Sequence, residues 1–562
     1  MKKLILVALW SICIYSFTLA QTSVKEVPKG WHLLDPKTDG FYGIGAERAY
    51  NELLKGKKSV PVVVAVIDSG VDTTHEDLKG ILWTNPREIP GNGIDDDHNG
   101  YIDDIHGWNF LGGKDGRNVS KDSYEAARVY YRLKKKFGSS TRNETSLDAA
   151  EVEEFKLYKK VKDKIEGDAK EATMNVMFLK NIVEKMPVSD SFLRKALAKD
   201  EYNGDDLQKF KPNSTEESKA KSTMMALFLG FQANDLSNKK LISMTEEFYS
   251  GEKAKVEATE KEPEDYRGEI VKDDYEDISD RYYGNNDIMA SNPMHGTHVS
   301  GIIAAIRNNG IGMNGVADNV RIMMIRAVPD GDEHDKDIAN AIRYAVDNGA
   351  RVVNMSFGKS VSPEKKWVDD AVKYAESKGV LLVHAAGNDA ENVDVNDNFP
   401  NPDFANDSAT RATNWITVGA SGDPKAGGIT APFSNYGKRE VDVFAPGVKI
   451  YSTLPGGNQY GNLQGTSMAS PVVVGLAALI MSYFPELTDL QVKSVIEKSV
   501  TPLENIKVKK PGTDEDVDLS NISRSGGIIN AYEAIRLAST LSGEKKVQPV
   551  LPKSQLKKSK KD

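Results

Sequence analysis

From Val472 to Ile480 the chain sets Val472, Val473, Val474, Leu476, Ala477, Leu479 and Ile480 with no polar face between them. A helix of that composition has no side to turn toward water, so other elements must enclose it. The fold is therefore expected to be built around this segment. Immediately before it stands Gln464-Gly465-Thr466-Ser467-Met468-Ala469-Ser470-Pro471. Ser467 has two readings. A serine ahead of an apolar run is a common helix N-cap, and a proline is best tolerated in a first helical turn. A nucleophile would gain from the same place, because the N–H groups of a helix N-terminus point at developing negative charge. On the octapeptide alone the cap preference of serine puts the capping reading first.

The elements that enclose the helix are strands. Pro61-Val62-Val63-Val64-Ala65-Val66-Ile67 is a continuous, β-branched apolar run, as expected of a strand buried on both faces of a parallel sheet. It ends in Asp68-Ser69-Gly70, and the carboxyl ends of such strands are where open α/β sheets place their ligands. Further along, strand-like Arg321–Ile325, Val352–Ser356 and Val380–Ala386 alternate with amphipathic helices. One helix face is formed by Ile338, Ala341, Ile342, Ala345 and Val346 and stops at Gly349; a second, with Val368, Ala371, Val372 and Ala375, stops at Gly379. Short connections in this alternation mean right-handed βαβ units and a parallel sheet flanked by helices. Gly526–Ser539 is expected to add a last helix.

Residues 111–283 differ in character. Lys, Glu and Asp dominate and strand-like runs vanish. Ala126, Tyr130, Leu133 and Phe137 share one helical face, with Asp122 and Glu125 as a capping pair ahead of it. Further helices are expected over Ser146–Glu166, Ala169–Lys185, Ser191–Ala198 and Glu216–Phe231, with Glu252–Asp280 as an acidic, mobile return linker. The stretch reads as a charged helical insert that splits one domain into 61–110 and 284–540.

Met1–Ala20 has two lysines, an apolar core and a small-residue cleavage site, the pattern of a secretory signal. Secreted, periplasmic or cell-surface placement is expected, with no transmembrane segment once the signal is removed. Cys13, the only cysteine, lies inside it, so the mature chain has neither disulfide nor thiolate zinc site. The segment 21–60, which includes a short helix near Gly45–Leu54, is brief for a folded pro-domain. The net charge of −9 argues against nucleic acid as a partner. The basic tail at 541–562 reads as solvated. Oligomeric state is not encoded in any recognisable pattern.

One acidic stretch suggests a structural cation. In Asn92–Asp104, the residues Asp95, Asp97 and Asn99 alternate before Gly100, and Asp103 follows, like the first half of a calcium loop. The twelfth position is His106, so the bidentate Glu of a full EF-hand is missing. A calcium loop of another kind and a solvated acidic turn are the two readings.

Three separated stretches, Val66-Ile67-Asp68-Ser69-Gly70, His295-Gly296-Thr297-His298-Val299-Ser300-Gly301 and Gly465–Pro471, stand in one order along the chain. Together they resemble the subtilisin-like serine proteases (peptidase family S8), over roughly 60–108 and 284–540. The resemblance implies a subtilisin-like three-layer α/β fold, with a mainly parallel sheet flanked by helices and interrupted by the helical insert. It implies a secreted serine endopeptidase in which Ser467 attacks, His295 moves the proton and Asp68 holds the imidazole. Asn388, in Ala385-Ala386-Gly387-Asn388, would stabilise the oxyanion. Ser356, Phe357 and Gly358, with Gly387, would pair with protein or peptide substrates in extended conformation. It also implies a structural calcium held by Asp77 and Asn309 with the carbonyls of Ile306, Ile311 and Met313. His298 would be structural.

The separation of 227 positions from Asp68 to His295 exceeds the few tens that the resemblance leads one to expect, so the ends of the insert must lie close together. The insert is placed to gate the cleft. The alternative from another class is a secreted binding protein that keeps the fold as a scaffold and uses the insert for recognition; a complete catalytic set argues against it.

Overall fold

The computed structural model describes residues 27–545 except 139–146, 232, 291–292, 406 and 504–505. The proposed signal segment with Cys13 and nearly all of the basic tail lie outside the described residues.

The apolar run Val62–Asp68 is an interior strand of a ten-stranded sheet. Across the sheet the strands run Thr501–Pro502, Gly527–Ile528, Val443–Pro446, Trp415–Asp423, Leu381–Ala385, Val352–Met355, Val62–Asp68, Val320–Arg326 and Gly107–Asn109. Ala426–Thr430 pairs with Trp415–Asp423 off this path. Only Thr501–Pro502 and Ala426–Thr430 pair antiparallel. The strand alternation sorts side chains into two layers. Val62, Val64 and Val66 join the core containing helix Thr466–Tyr483, whereas Ala65 and Ile67 join the core beneath helices Asp335–Asp347 and Lys365–Ser377. The result is a three-layer α/β fold with a mostly parallel sheet.

Helix Thr466–Tyr483 lies inside, as its composition requires. Val472, Val473, Val474, Leu476, Ala477, Leu479 and Ile480 are fully buried. Each such side chain contributes about 1.5–3 kcal/mol relative to exposure. The helix is long and apolar enough to span a membrane, but 89% of it is enclosed by the protein, so it is a core helix. The N-terminal segment belongs to the same core: Trp31, Leu33 and Ile44 are buried in it, and Trp31 Nε1 donates to the Val448 carbonyl at 3.1 Å. The helical stops at Gly349 and Gly379 both take positive φ.

Three expectations about the insert need correction. The separate helices expected between Ser146 and Ala198 are one, Ala149–Leu197, of 49 residues and about 73 Å at 1.5 Å per residue. It begins in an Asp148–Glu151 capping box and passes through Pro187 without ending. Packing against Glu125–Phe137, Thr215–Gly230 and Asn238–Glu257 holds it continuous where local propensity alone would break it. Asp122 and Glu125 form no capping pair, since Asp122 bonds His334 at 3.0 Å and Glu125 bonds Arg128 and Lys359. The return is no mobile linker either. It holds the end of helix Asn238–Glu257 and helix Tyr266–Val271, and the buried Arg267 binds Asp273 at 2.6 Å and Asp337 at 2.6 and 2.8 Å. Both ends of the insert are thereby tied to the segment around 332–337, and the first end also to Lys359.

Candidate active site

Asp68 ends its strand with its side chain 2% exposed, and His295 Nδ1 lies 2.8 Å from its Oδ1 and 3.0 Å from its Oδ2. His295 sits in the first turn of helix Met294–Ala304, and two glycines let that helix reach the strand end. A Cβ on Gly296 would fall 2.2 Å from the Gly70 carbonyl oxygen and 3.1 Å from Asp68 Cβ. Gly70 itself has φ +125°, where a side chain would be strained. The insert therefore returns His295 to Asp68 despite the long separation in sequence.

Burial pushes the His295 pKa down, but the Asp68 carboxylate and, less strongly, the charge of Glu247 outweigh it, and the ring titrates above its ordinary value. His298 is different. Burial takes it down to about 3, so it is neutral, and its Nε2 lies 3.2 Å from the Gly461 carbonyl. That is a structural role.

Ser467 is the second residue of its helix, with Gly465 at the N-cap position, so the capping reading of Ser467 is incorrect. Its hydroxyl donates to the Ser356 carbonyl at 3.1 Å, and the Ser356 hydroxyl donates to the Ser467 carbonyl at 3.0 Å. Among the described residues Ser467 has no hydrogen bond to His295, and its own N–H has no acceptor. The Ser467 N–H is one of the unpaired donors of a helix first turn.

Asn388 is oriented by a neighbour that sequence reasoning missed. The Thr466 N–H donates to Asn388 Oδ1 at 2.8 Å, and the Thr466 hydroxyl lies 3.1 Å from the same atom. A backbone N–H can only donate, so the oxygen must face Thr466 and the NH2 must face away. That NH2 has no acceptor among the described residues.

Ser356-Phe357-Gly358 continues past strand Val352–Met355 beside Gly387. Below it, His384 is a polar residue in an apolar strand. Its Nε2 donates to the Phe357 carbonyl at 2.7 Å, and burial lowers its pKa to about 4. Asn398 fills the space between the two segments: its Nδ2 donates to the Ala386 carbonyl at 3.0 Å, and a Cβ on Gly358 would fall 2.6 Å from its Oδ1. A polar residue within an apolar strand is the signal that could have found His384. Nothing in the sequence singles out Asn398.

The expected calcium ligands fall into two groups. Asp77 is fully buried, and among the described residues its carboxylate meets only neutral donors: the Asn309 amide, Tyr460 hydroxyl at 3.0 Å and Met313 N–H at 3.4 Å. The Asn309 oxygen accepts from Ile311 N–H at 3.1 Å. The carbonyls of Ile306, Ile311 and Met313 accept no hydrogen bond among the described residues. A buried carboxylate without a countercharge, beside unpaired carbonyls, fits a hard cation. In the acidic loop, Asp95 and Asp97 come together with Glu88, while Asn99 contacts Asp104 at 3.1 Å. Asp103 is turned away: it has φ +53°, and its carboxylate accepts from the N–H groups of Gly91, Asn92 and Gly93 at 2.8, 3.2 and 2.8 Å.

A strand-end aspartate paired to a histidine, with a serine and its unpaired N–H in the first turn of a neighbouring helix, defines a class of hydrolase sites. The family description "Subtilase family" matches residues 60–519, and the chain belongs to that family. It is 41% identical over 206 residues to a thermophilic serine proteinase from Bacillus sp. (strain AK1), covering 36% of this chain and 46% of that protein. It is 39% identical over 215 residues to subtilisin E from Bacillus subtilis (strain 168), covering 38% and 51%. The chain thus spans about half the length of these curated relatives. A solved structure of proteases from Pseudoalteromonas arctica aligns with TM-score 0.35 and 32% identity, over 45% of this chain and 74% of that one.

Proposed function

We propose that this chain is a secreted serine endopeptidase that cleaves protein or peptide substrates through an acyl-enzyme. The observation that carries this reading is that adjacent parallel strands end at Asp68 and just before Ser356, so that the Asp68–His295 pair and the Ser467 hydroxyl on the Ser356 carbonyl stand at one edge of the sheet, with Asn388 held by the neighbouring Thr466. Ser467 Oγ attacks the scissile carbonyl and His295 Nε2 accepts its proton, later returning it to the leaving amine. Asp68 holds the Nδ1–H tautomer and stabilises the imidazolium. The Ser467 N–H and the Asn388 amide donate to the tetrahedral oxyanion. In the free protein the Ser467 hydroxyl rests on the Ser356 carbonyl. Rotation about its Cα–Cβ bond turns it toward His295, and catalytic hydrogen bonds commonly tighten only when substrate is bound.

Substrate lies extended along Ser356-Phe357-Gly358, where main-chain pairing tolerates many sequences. A structural calcium at Asp77, Asn309 and the carbonyls of Ile306, Ile311 and Met313 stabilises the native state by mass action. The insert controls access. Its core takes in Leu454, Leu463 and Met294, the residue before His295, and its Asp235 accepts from Asn462 N–H and Nδ2 at 2.9 and 2.8 Å.

The test is Ser467→Ala in the full chain. The variant is expected to keep its circular dichroism spectrum and lose peptidase activity; retained peptidase activity would overturn the reading.

A further inference from the structure

Helix Ala149–Leu197 carries two repeats on two faces. On one, Ile165, Ala172, Leu179, Met186 and Leu193 recur every seven residues, and all are buried. Met186 and Leu193 share a core with Leu227 and Phe228, and Ile165 shares another with Val129 and Phe137. The second repeat runs over positions 171, 174, 178, 181, 185, 188, 192 and 195. Its alternate spacings of three and four are those of the seam of a coiled coil. Here large apolar side chains face water: Met174 is 54% exposed, Phe178 45%, Val188 60% and Phe192 46%. Single exposed apolar residues need no explanation, but a stripe about 36 Å long, at 1.5 Å per residue, marks an interaction surface. The break expected at 186–190 interrupts this repeat in the sequence, and the continuous helix restores it.

The order of residues along the seam says what covers it. It is self-complementary about position 183. Laid antiparallel on a second copy, Met174 meets Phe192, Phe178 meets Val188, Asn181 meets Lys185 and Glu171 meets Lys195. Apolar residues then face apolar ones, polar residues face polar ones, and the one acid of the seam faces its terminal lysine. A twofold interface requires such a pattern, since each contact of i with j is made again as j with i. Parallel pairing would instead set every residue against itself, Glu171 on Glu171 and Lys185 on Lys185, with like charges opposed. The polar centre at Asn181 and Lys185 fixes the register at some cost in affinity, as polar residues at seam positions do. An anionic membrane would suit the lysines and the apolar stripe, but it offers nothing to Glu171.

We infer that two copies of this chain associate through helix Ala149–Leu197 as an antiparallel coiled coil centred on position 183. The inference is independent of the peptidase assignment.

The experiment is sedimentation velocity of the full chain, carrying Ser467→Ala against self-cleavage, from about 1 to 100 µM, a range that covers weak interfaces. The parent is expected to pass reversibly from monomer to dimer. Phe178→Asp should weaken the dimer by more than ~100-fold, because the symmetry removes two buried phenylalanines at once. Val188→Asp makes the same test from the facing position and replaces it should Phe178→Asp not fold, as judged by circular dichroism. Glu171→Lys and Lys195→Glu should each weaken the dimer by about tenfold, since each turns two attractive pairs into repulsive ones. Combining the two exchanges should restore it to within about threefold of the parent, because the charges are again opposite. A parent that stays monomeric throughout, whether or not it binds phosphatidylglycerol vesicles, would overturn the inference. So would a dimer indifferent to both aspartate variants. A double exchange that restores nothing would overturn the antiparallel register.

Discussion

Gly296→Ala is a one-carbon change whose effect follows from distances alone. The added Cβ would lie 2.2 Å from the Gly70 carbonyl oxygen, which is backbone, and 3.2 Å from Asp68 Oδ1. An ordinary carbon–oxygen contact is more than 3 Å, so the start of helix Met294–Ala304 must back away by roughly 1 Å. His295 is the neighbouring residue, and its 2.8 Å hydrogen bond to Asp68 cannot survive that shift. A misplacement of ~1 Å costs on the order of 10² in rate, and the overpacking costs about 1–3 kcal/mol of stability. The assay is kcat/KM on a peptide library together with thermal melting. Gly301→Ala is the control, because its Cβ would meet Thr453 Oγ1 at 2.2 Å in the same helix but away from Asp68. The account expects comparable melting losses for the two variants, with the large activity loss confined to Gly296→Ala. Activity of Gly296→Ala within threefold of the parent, on the scale of that ~10² loss, would refute the reasoning.

Asn388→Ala should lower kcat by about 10²–10³ with little change in KM, the loss characteristic of removing one oxyanion donor in a serine protease; steady-state kinetics on a peptide substrate measures it, and a change confined to KM would contradict the role. Glu247→Gln addresses pH. Because His295 titrates above its ordinary value and acts as a base only when neutral, kcat/KM rises as pH passes upward through its pKa. Removing the negative charge of Glu247 lowers that pKa, so the rise should move to lower pH. A rise that stays put, or moves upward, would exclude the coupling.

The fold and the Asp68–His295 pairing were legible because both rest on local patterns. A β-branched run can hardly be other than a buried strand, and an apolar helix with no polar face can only go inside, as Val62–Asp68 and Thr466–Tyr483 do. The insert was less legible. The breaks left between the expected helices, at 167–168 and 186–190, are bridged in the fold, because tertiary packing against three other helices carries one helix through both and through Pro187. Acidic residues over 252–280 read as a solvated linker, yet Arg267 gathers Asp273 and Asp337 into a buried ionic cluster that no spacing rule could foresee. The site's supporting residues were invisible for the same reason. Thr466 and His384 act through contacts set by the folded chain, and a turn at positive φ aims Asp103 at backbone donors.

The central claim is that Ser467 is a nucleophile activated by the Asp68–His295 pair. Its most direct test is to react the full chain with a fluorophosphonate and locate the adduct by mass spectrometry after digestion. The account predicts one adduct, on Ser467, forming in step with the loss of peptidase activity and absent in His295→Ala. An adduct on another residue, or peptidase activity that survives complete labelling of Ser467, would contradict it.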